Sequence, residues 1–200
     1  MDILDLIVYG LLIITSVIGL VFIVERGWAL RWSRVAPPEL EVAVESCRGR
    51  EDVPVLQRIC EKHHAPLSRL LQEAISRLHL PKDENVDALQ TRARREIVKL
   101  ERGLVVLEII VGIAPLLGLV GTIVGMMTLF GNIGHEGLND AARLAKGISV
   151  ILTATLAGLL IAIPSLIAWS YYTKKVETLA VEMETVCDEF LRRQYLENRK

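Results

Sequence analysis

Between Ile109 and Gly134, and again between Gly147 and Thr173, the sequence contains no Asp, Glu, His, Lys or Arg. Proton relays in apolar surroundings are normally built from ionisable groups. Threonine, which both stretches contain, cannot carry a proton as a charged intermediate. Neither sign of charge is in excess: 23 Lys and Arg face 24 Asp and Glu, a net charge of −1. That balance argues against nucleic acid as a partner. No alternation typical of strands, no internal repeat and no low-complexity tract is present. Nor is there a nucleophile–base pairing, a phosphate loop or a carboxylate pair, so no enzyme is expected and no cofactor is implied.

What the chain has instead is segregation. Hydrophobic residues make up 52% of the chain and mean hydropathy is +0.39, yet 24% of the residues are charged. Such values coexist only if apolar and charged residues occupy different segments. Three uncharged runs separate them: Leu6 to Val24 with 19 residues, Ile109 to Gly134 with 26, and Gly147 to Thr173 with 27. A helix needs about 20 residues to cross a bilayer, so each run is long enough. The fold class expected is all-α with three transmembrane helices. The first run has an acidic flank (Asp2, Asp5), excess length and no A-x-A site, which fits a signal anchor rather than a cleaved leader.

Basic residues orient the spans. Segment 25–103 holds 15 of the 23 Lys and Arg and segment 174–200 holds 6, whereas 131–146 holds only Arg143 and Lys146. By the positive-inside rule the N-terminus is outside, and 25–103 and the tail are inside. The expected organisation is 1–24, outer N-terminus and first span; 25–103, cytoplasmic helical region; 104–130, second span; 131–146, short outer loop; 147–173, third span; and 174–200, cytoplasmic C-terminal helix. Cys47, Cys60 and Cys187 all fall on the inner side, where thiols stay reduced, so no disulfide is expected.

Within 25–103, punctuation by Gly49, Pro66 and Pro81 predicts helices over 39–48, about 54–63 and 66–80. Leu67, Leu70, Leu71, Ala74, Ile75 and Leu78 fall on one face of the third of these. After Pro81 the apolar period of Val86, Leu89, Ala93, Ile97, Leu100 and Leu104 runs straight into the second span. Val176, Leu179, Met183, Val186 and Phe190 continue the third span in the same way. The pattern predicts two helices of about 48 residues, roughly 72 Å each, extending the second and third spans into a cytoplasmic bundle. Gly103 is the place where the first of them would break.

The second and third spans carry small-residue faces. Gly118, Thr122 and Gly125 lie within roughly 60° on a helical wheel with Gly121 flanking them, and Thr155, Gly158, Ala162 and Ser165 lie within roughly 80°. Helix association in lipid depends on close approach through such residues, so these faces predict tight contacts and, between copies, a homo-oligomeric ring. Pro115 and Pro164 each free a carbonyl, which is tolerated where a neighbouring helix or water satisfies it. Two readings of the threonines stay open on physics alone: hydroxyls placed for function, or hydroxyls bonded back to their own helix.

The pattern P-x-x-G-L-x-G-T-x-x-G at Pro115–Gly125, Phe130, Gly147-Ile148 and T-x-x-G-L-x-x-A-I-P at Thr155–Pro164 resembles the MotA/TolQ/ExbB family of ion-driven stator proteins. Three spans rather than four point to its ExbB/TolQ branch. The resemblance covers 100–170 closely, and the span layout extends it to the whole chain. It implies that Thr122 and Thr155 line an ion path. It also implies that Pro115, Gly118, Gly121, Gly125, Gly158 and Pro164 serve helix packing. Expected partners are further copies of the chain in a pentamer and a single-span ExbD/TolR-like subunit that supplies a membrane Asp. A TonB/TolA-like protein spanning the periplasm would be the driven element, in biopolymer transport or outer-membrane maintenance. The expected location is a bacterial inner membrane, and the energy source is proton-motive force. Many members place a Glu five residues before the second threonine; here that position is Val150, so this chain offers no carboxylate there. A non-conducting membrane scaffold that uses the same small faces only to assemble is the alternative.

Other residues attract attention for simpler reasons. Glu108 near the inner boundary is expected to pair with a Lys or Arg, with a hydrated vestibule as the alternative. Cys60-x-x-His63-His64 lacks a second ligand pair and reads as a solvated helix end rather than a metal site. Trp28, Trp32, Trp169, Tyr171 and Tyr172 read as interfacial anchors. His135, Glu136, Asp140 and Arg143 in the outer loop read as solvated residues. Thr153 lies about 160° around the helix from Thr155 and is expected to matter less.

Overall fold

The computed structural model describes residues 3–136 and 141–197. Every element among them is a helix. These are α1 (Ile3–Ala29), α2 (Trp32–Val35), α3 (Pro38–Ser46), α4 (Val53–Lys62), α5 (Pro66–Ser76), α6 (Lys82–Glu101), α7 (Leu104–Glu136) and α8 (Ala141–Glu197). Prolines at the first turns of α3, α4 and α5 start those helices where a missing N–H costs nothing. Three stretches are long and apolar enough to cross a membrane: Leu6–Ala29, Leu104–Gly131 and Gly147–Leu196. The chain is a membrane protein by this measure.

The expected continuous helix from Pro81 into the second span is not formed. α6 ends at Glu101 and α7 begins at Leu104, with a two-residue turn at Arg102 and Gly103. Gly103 is buried, and the Arg26 side chain occupies the space where a Cβ would stand. The glycine is needed there for room, and with no side chain of its own it holds the helical state weakly. α8, by contrast, runs unbroken for 57 residues, about 86 Å at 1.5 Å per residue. Its apolar period passes through Tyr171 and Tyr172 without a helix breaker.

The chain divides into two compact units, Met1–Arg26 with Gly103–Tyr171 and Gly27–Arg102 with Tyr172–Lys200. In the second unit α3 packs on α4, α4 on α5 and α5 on α6. Its core is Leu40, Leu56, Leu67, Leu70, Leu71, Leu89, Leu179, Met183, Phe190 and Leu191, all buried. Polar clasps tie the end of α8 to this core. Asn85 Nδ2 donates to the Ala74 carbonyl at 3.0 Å and to Tyr195 Oη at 3.1 Å, and Tyr195 Oη donates to the Leu80 carbonyl at 2.8 Å. Gly27 admits the Tyr172 hydroxyl, which would lie 2.8 Å from a Cβ there. The Trp32 indole N–H donates to Glu41 at 2.7 Å. Trp28 is exposed and carries the Arg34 guanidinium 4.4 Å above its ring.

Candidate functional site

In the first unit α7 and α8 run against each other along a seam of small residues. A Cβ on Gly125 would lie 2.7 Å from Ile151 Cγ1, and one on Gly121 2.7 Å from Ala154 Cβ and 3.2 Å from Val8 Cγ1. A Cβ on Gly118 would lie 2.9 Å from the Ala154 carbonyl oxygen and 3.0 Å from Thr155 Cα, and one on Gly158 2.6 Å from the Ala114 carbonyl oxygen. The contacts are reciprocal: Ala114-x-x-x-Gly118 on one helix docks on Ala154-x-x-x-Gly158 on the other. Two small residues four apart on each helix allow backbones to touch. Ile110, Ala114 and Ala162 continue the seam as a buried cluster, with Val106 and Ile161 against it. The glycine face expected to meet neighbouring copies is thus filled by α8 of the same chain. Pro115 and Pro164 lie inside α7 and α8 without ending either helix.

The two threonines on this seam differ. Thr122 is half-buried and its hydroxyl donates to the Leu119 carbonyl at 2.7 Å, so its donor is spent on its own helix. Thr155 is half-buried, its backbone lies against the Gly118 position, and its hydroxyl makes no hydrogen bond among the described residues. Thr153, expected to be the quiet neighbour, is engaged: its hydroxyl donates to the Val150 carbonyl at 2.5 Å and meets Tyr9 Oη of α1 at 3.2 Å. Val150 itself is an exposed apolar side chain. Ser165, buried, donates to the Ile161 carbonyl at 2.8 Å, and Gly19 of α1 leaves room beside it.

Glu108 is exposed, with no ion-pair partner among the described residues. Asp140 lies outside the described residues, as do the side chains of His135, Glu136 and Arg143. In the second unit, the Cys60 side chain is buried in the core, and burial together with the neighbouring Glu61 charge pushes its thiol up to about 12. His63 turns instead to Glu39, 2.7 Å away. A cleft of about 410 Å³ between α6 and α8 has an apolar floor of Leu70, Leu89, Ala93 and Leu191 and a rim that includes Arg94, Glu184 and Asp188.

The residues that sequence reasoning missed are informative. Ala114 and Ala154 carry the seam as much as the glycines do; the repeated Ala-x-x-x-Gly spacing was a readable signal. Glu96 had none. It is 1% exposed inside a helix half of whose residues are charged, held by Arg69 and Lys99 at 2.5 and 2.7 Å with Arg92 at 3.7 Å. Burial by itself would raise its pKa, but the hydrogen bonds and charges of Lys99 and Arg69 prevail and hold the carboxyl below its ordinary value.

The model of the MotA/TolQ/ExbB proton channel family matches residues 62–185, the stretch that contains the whole seam. The chain belongs to the MotA/TolQ/ExbB proton channel family. Relatives within it carry both branch names. An ExbB-like biopolymer transport protein of Synechocystis sp. is 32% identical over 79% of this chain and 63% of its own length. The biopolymer transport protein ExbB of Helicobacter pylori is 35% identical over 52% of this chain and 68% of its own. The Tol-Pal system protein TolQ of Pseudomonas aeruginosa is 30% identical over 90% of this chain and 82% of its own. The chain spans less than two thirds of the Synechocystis relative. Membership of the MotA/TolQ/ExbB family gives the α7–α8 seam a functional context that its geometry alone does not supply.

Proposed function

We propose that the chain is an ExbB/TolQ-like stator subunit of an ion-driven motor in a bacterial inner membrane. Its N-terminus faces the periplasm, and 25–103 and the C-terminal part of α8 face the cytoplasm. Copies assemble into a ring, a pentamer by family resemblance. The ring encloses a single-span ExbD/TolR-like subunit with a membrane Asp, and proton-motive force drives a TonB/TolA-like protein through this pair.

One observation carries the reading. The α7–α8 seam holds a threonine hydroxyl, that of Thr155, with no hydrogen-bond partner among the described residues, in spans that contain no Asp, Glu, His, Lys or Arg between Ile109 and Gly134 or between Gly147 and Thr173. A titrating carboxylate must then come from another polypeptide, and Thr155 offers it a polar neighbour where lipid offers none. Thr122 contributes less, because its donor is already bonded.

A scaffold that conducts nothing is the second reading. It is favoured by the Thr122–Leu119 hydrogen bond, which commits that hydroxyl's donor to its own helix. Purification with the product of a neighbouring gene for a single-span protein separates the two. The stator reading expects a stable complex whose reconstitution into vesicles dissipates a proton gradient, with loss of flux when the partner's membrane Asp becomes Asn. A ring that forms without such a partner and passes no protons supports the scaffold.

A further inference from the structure

We infer that Tyr9 is a positioning residue for Thr155, acting through a hydroxyl chain that runs from α1 to α8. The inference rests on the stator reading of Thr155. Thr153 donates its proton to the Val150 carbonyl, so in the 3.2 Å contact with Tyr9 the phenol O–H donates and the Thr153 oxygen accepts. The chain therefore has a direction: Tyr9 hydroxyl, Thr153 hydroxyl, Val150 carbonyl. Hydrocarbon supplies no water to replace either bond once broken.

The same level of the unit is where three helices meet. Val8, next to Tyr9, is 5% exposed and would lie 3.2 Å from a Cβ on Gly121, and Ala154, next to Thr153, is 2% exposed and faces that same glycine. Small and branched apolar side chains fix how closely α1, α7 and α8 approach there. At this level Ala154 and Gly121 present almost smooth surfaces to each other, and the turn of α8 is held by the Gly118–Gly158 backbone contact about one turn away. The Tyr9 hydroxyl adds a directional constraint from α1. With Thr153 held toward α1, Thr155 lies about 160° around α8 and is turned away from α1. A phenylalanine at position 9 would keep the ring and its packing and lose only the constraint.

The test compares variants of the full chain, expressed with its single-span partner, at equal membrane levels. Interhelical hydrogen bonds in membrane proteins are worth a few-fold in an equilibrium, so Tyr9→Phe and Thr153→Val should each lower ion-driven output about threefold. Their combination should be no worse than either alone, and Thr153→Ser, which keeps the hydroxyl, should restore wild-type output. Alkylation of Thr155→Cys by a small thiol reagent should change rate when Tyr9→Phe is added, a readout that a purely stabilising role for Tyr9 would leave alone. Wild-type output from Tyr9→Phe alongside a strongly impaired Thr155→Val would overturn the positioning role and leave the stator reading intact. A double variant that falls about ninefold, the product of independent effects, would also overturn it. Wild-type output from Thr155→Val would remove the stator reading of Thr155, and the positioning role with it.

Discussion

Gly118 and Gly158 face each other across the α7–α8 seam, so that a Cβ on Gly158 would come within 3.2 Å of Gly118 Cα and 2.6 Å of the Ala114 carbonyl oxygen. The obstructing atoms are backbone, which cannot rotate aside as a side chain can. Gly158→Ala should therefore force α7 and α8 apart and cost about 1–3 kcal/mol, the range for overpacking a close contact. Gly112→Ala on α7 is the comparison: nothing lies within 4 Å of that Cβ, and the higher helix propensity of Ala should leave stability unchanged or improved by up to about 1 kcal/mol. Thermal unfolding of the two variants in detergent measures the difference. Equal midpoints would mean that the seam is looser than the structure has it.

Glu96 makes a second, independent prediction. Its carboxylate is buried while Arg69 and Lys99 reach solvent, so Glu96→Ala strands two cations that water can partly rescue. The cost should sit near the low end for a broken buried pair, about 3 kcal/mol. The sign of the pH dependence follows from the lowered pKa. The contribution is fully present above the ordinary value of 4.5 and is lost as pH falls through the lower folded-state value. A pH series of unfolding midpoints should show a smaller acid-induced loss for Glu96→Gln than for wild type. Parallel curves would assign the acid loss to other carboxylates.

Topology is open to chemical labelling. Cys47, Cys60 and Cys187 are all buried, so the native thiols give a low background. An impermeant thiol reagent applied to intact cells should modify Asn139→Cys, outside the described residues, and should spare Ser76→Cys at the exposed end of α5. The opposite pattern would reverse the membrane orientation drawn from the distribution of Lys and Arg.

Much of the fold was legible because lipid and water impose strong patterns. The three uncharged runs became three membrane-length helices, and Pro66 and Pro81 marked where α5 starts and where α6 follows. The break at Arg102–Gly103 was visible as a glycine but not as a necessity: its cause is the Arg26 side chain, distant in sequence and lying where a Cβ would be. The seam was half legible. Glycines announce close approach, but periodicity cannot tell whether the surface approached belongs to the same chain or to another copy. The different fates of Thr122, Thr153 and Thr155 were not legible at all, since each hydroxyl's partner depends on how α8 is turned and on Tyr9 from α1.

The account stands on the uncommitted hydroxyl of Thr155, and Thr155→Val tests it most directly. Valine is close to threonine in size and removes only the hydroxyl. Expression, ring formation and partner binding should be nearly unchanged, while dissipation of a membrane proton gradient by the complex should fall sharply, because a carboxylate in transit loses its polar neighbour in a low-dielectric site. Thr122→Val, whose hydroxyl is spent on Leu119, should fall less, and Thr15→Val, whose hydroxyl donates to the Leu11 carbonyl at 2.8 Å on α1, should not fall at all. A Thr155→Val complex that passes protons as fast as the wild type and the Thr15→Val variant would contradict the account and leave the α7–α8 seam as a packing device.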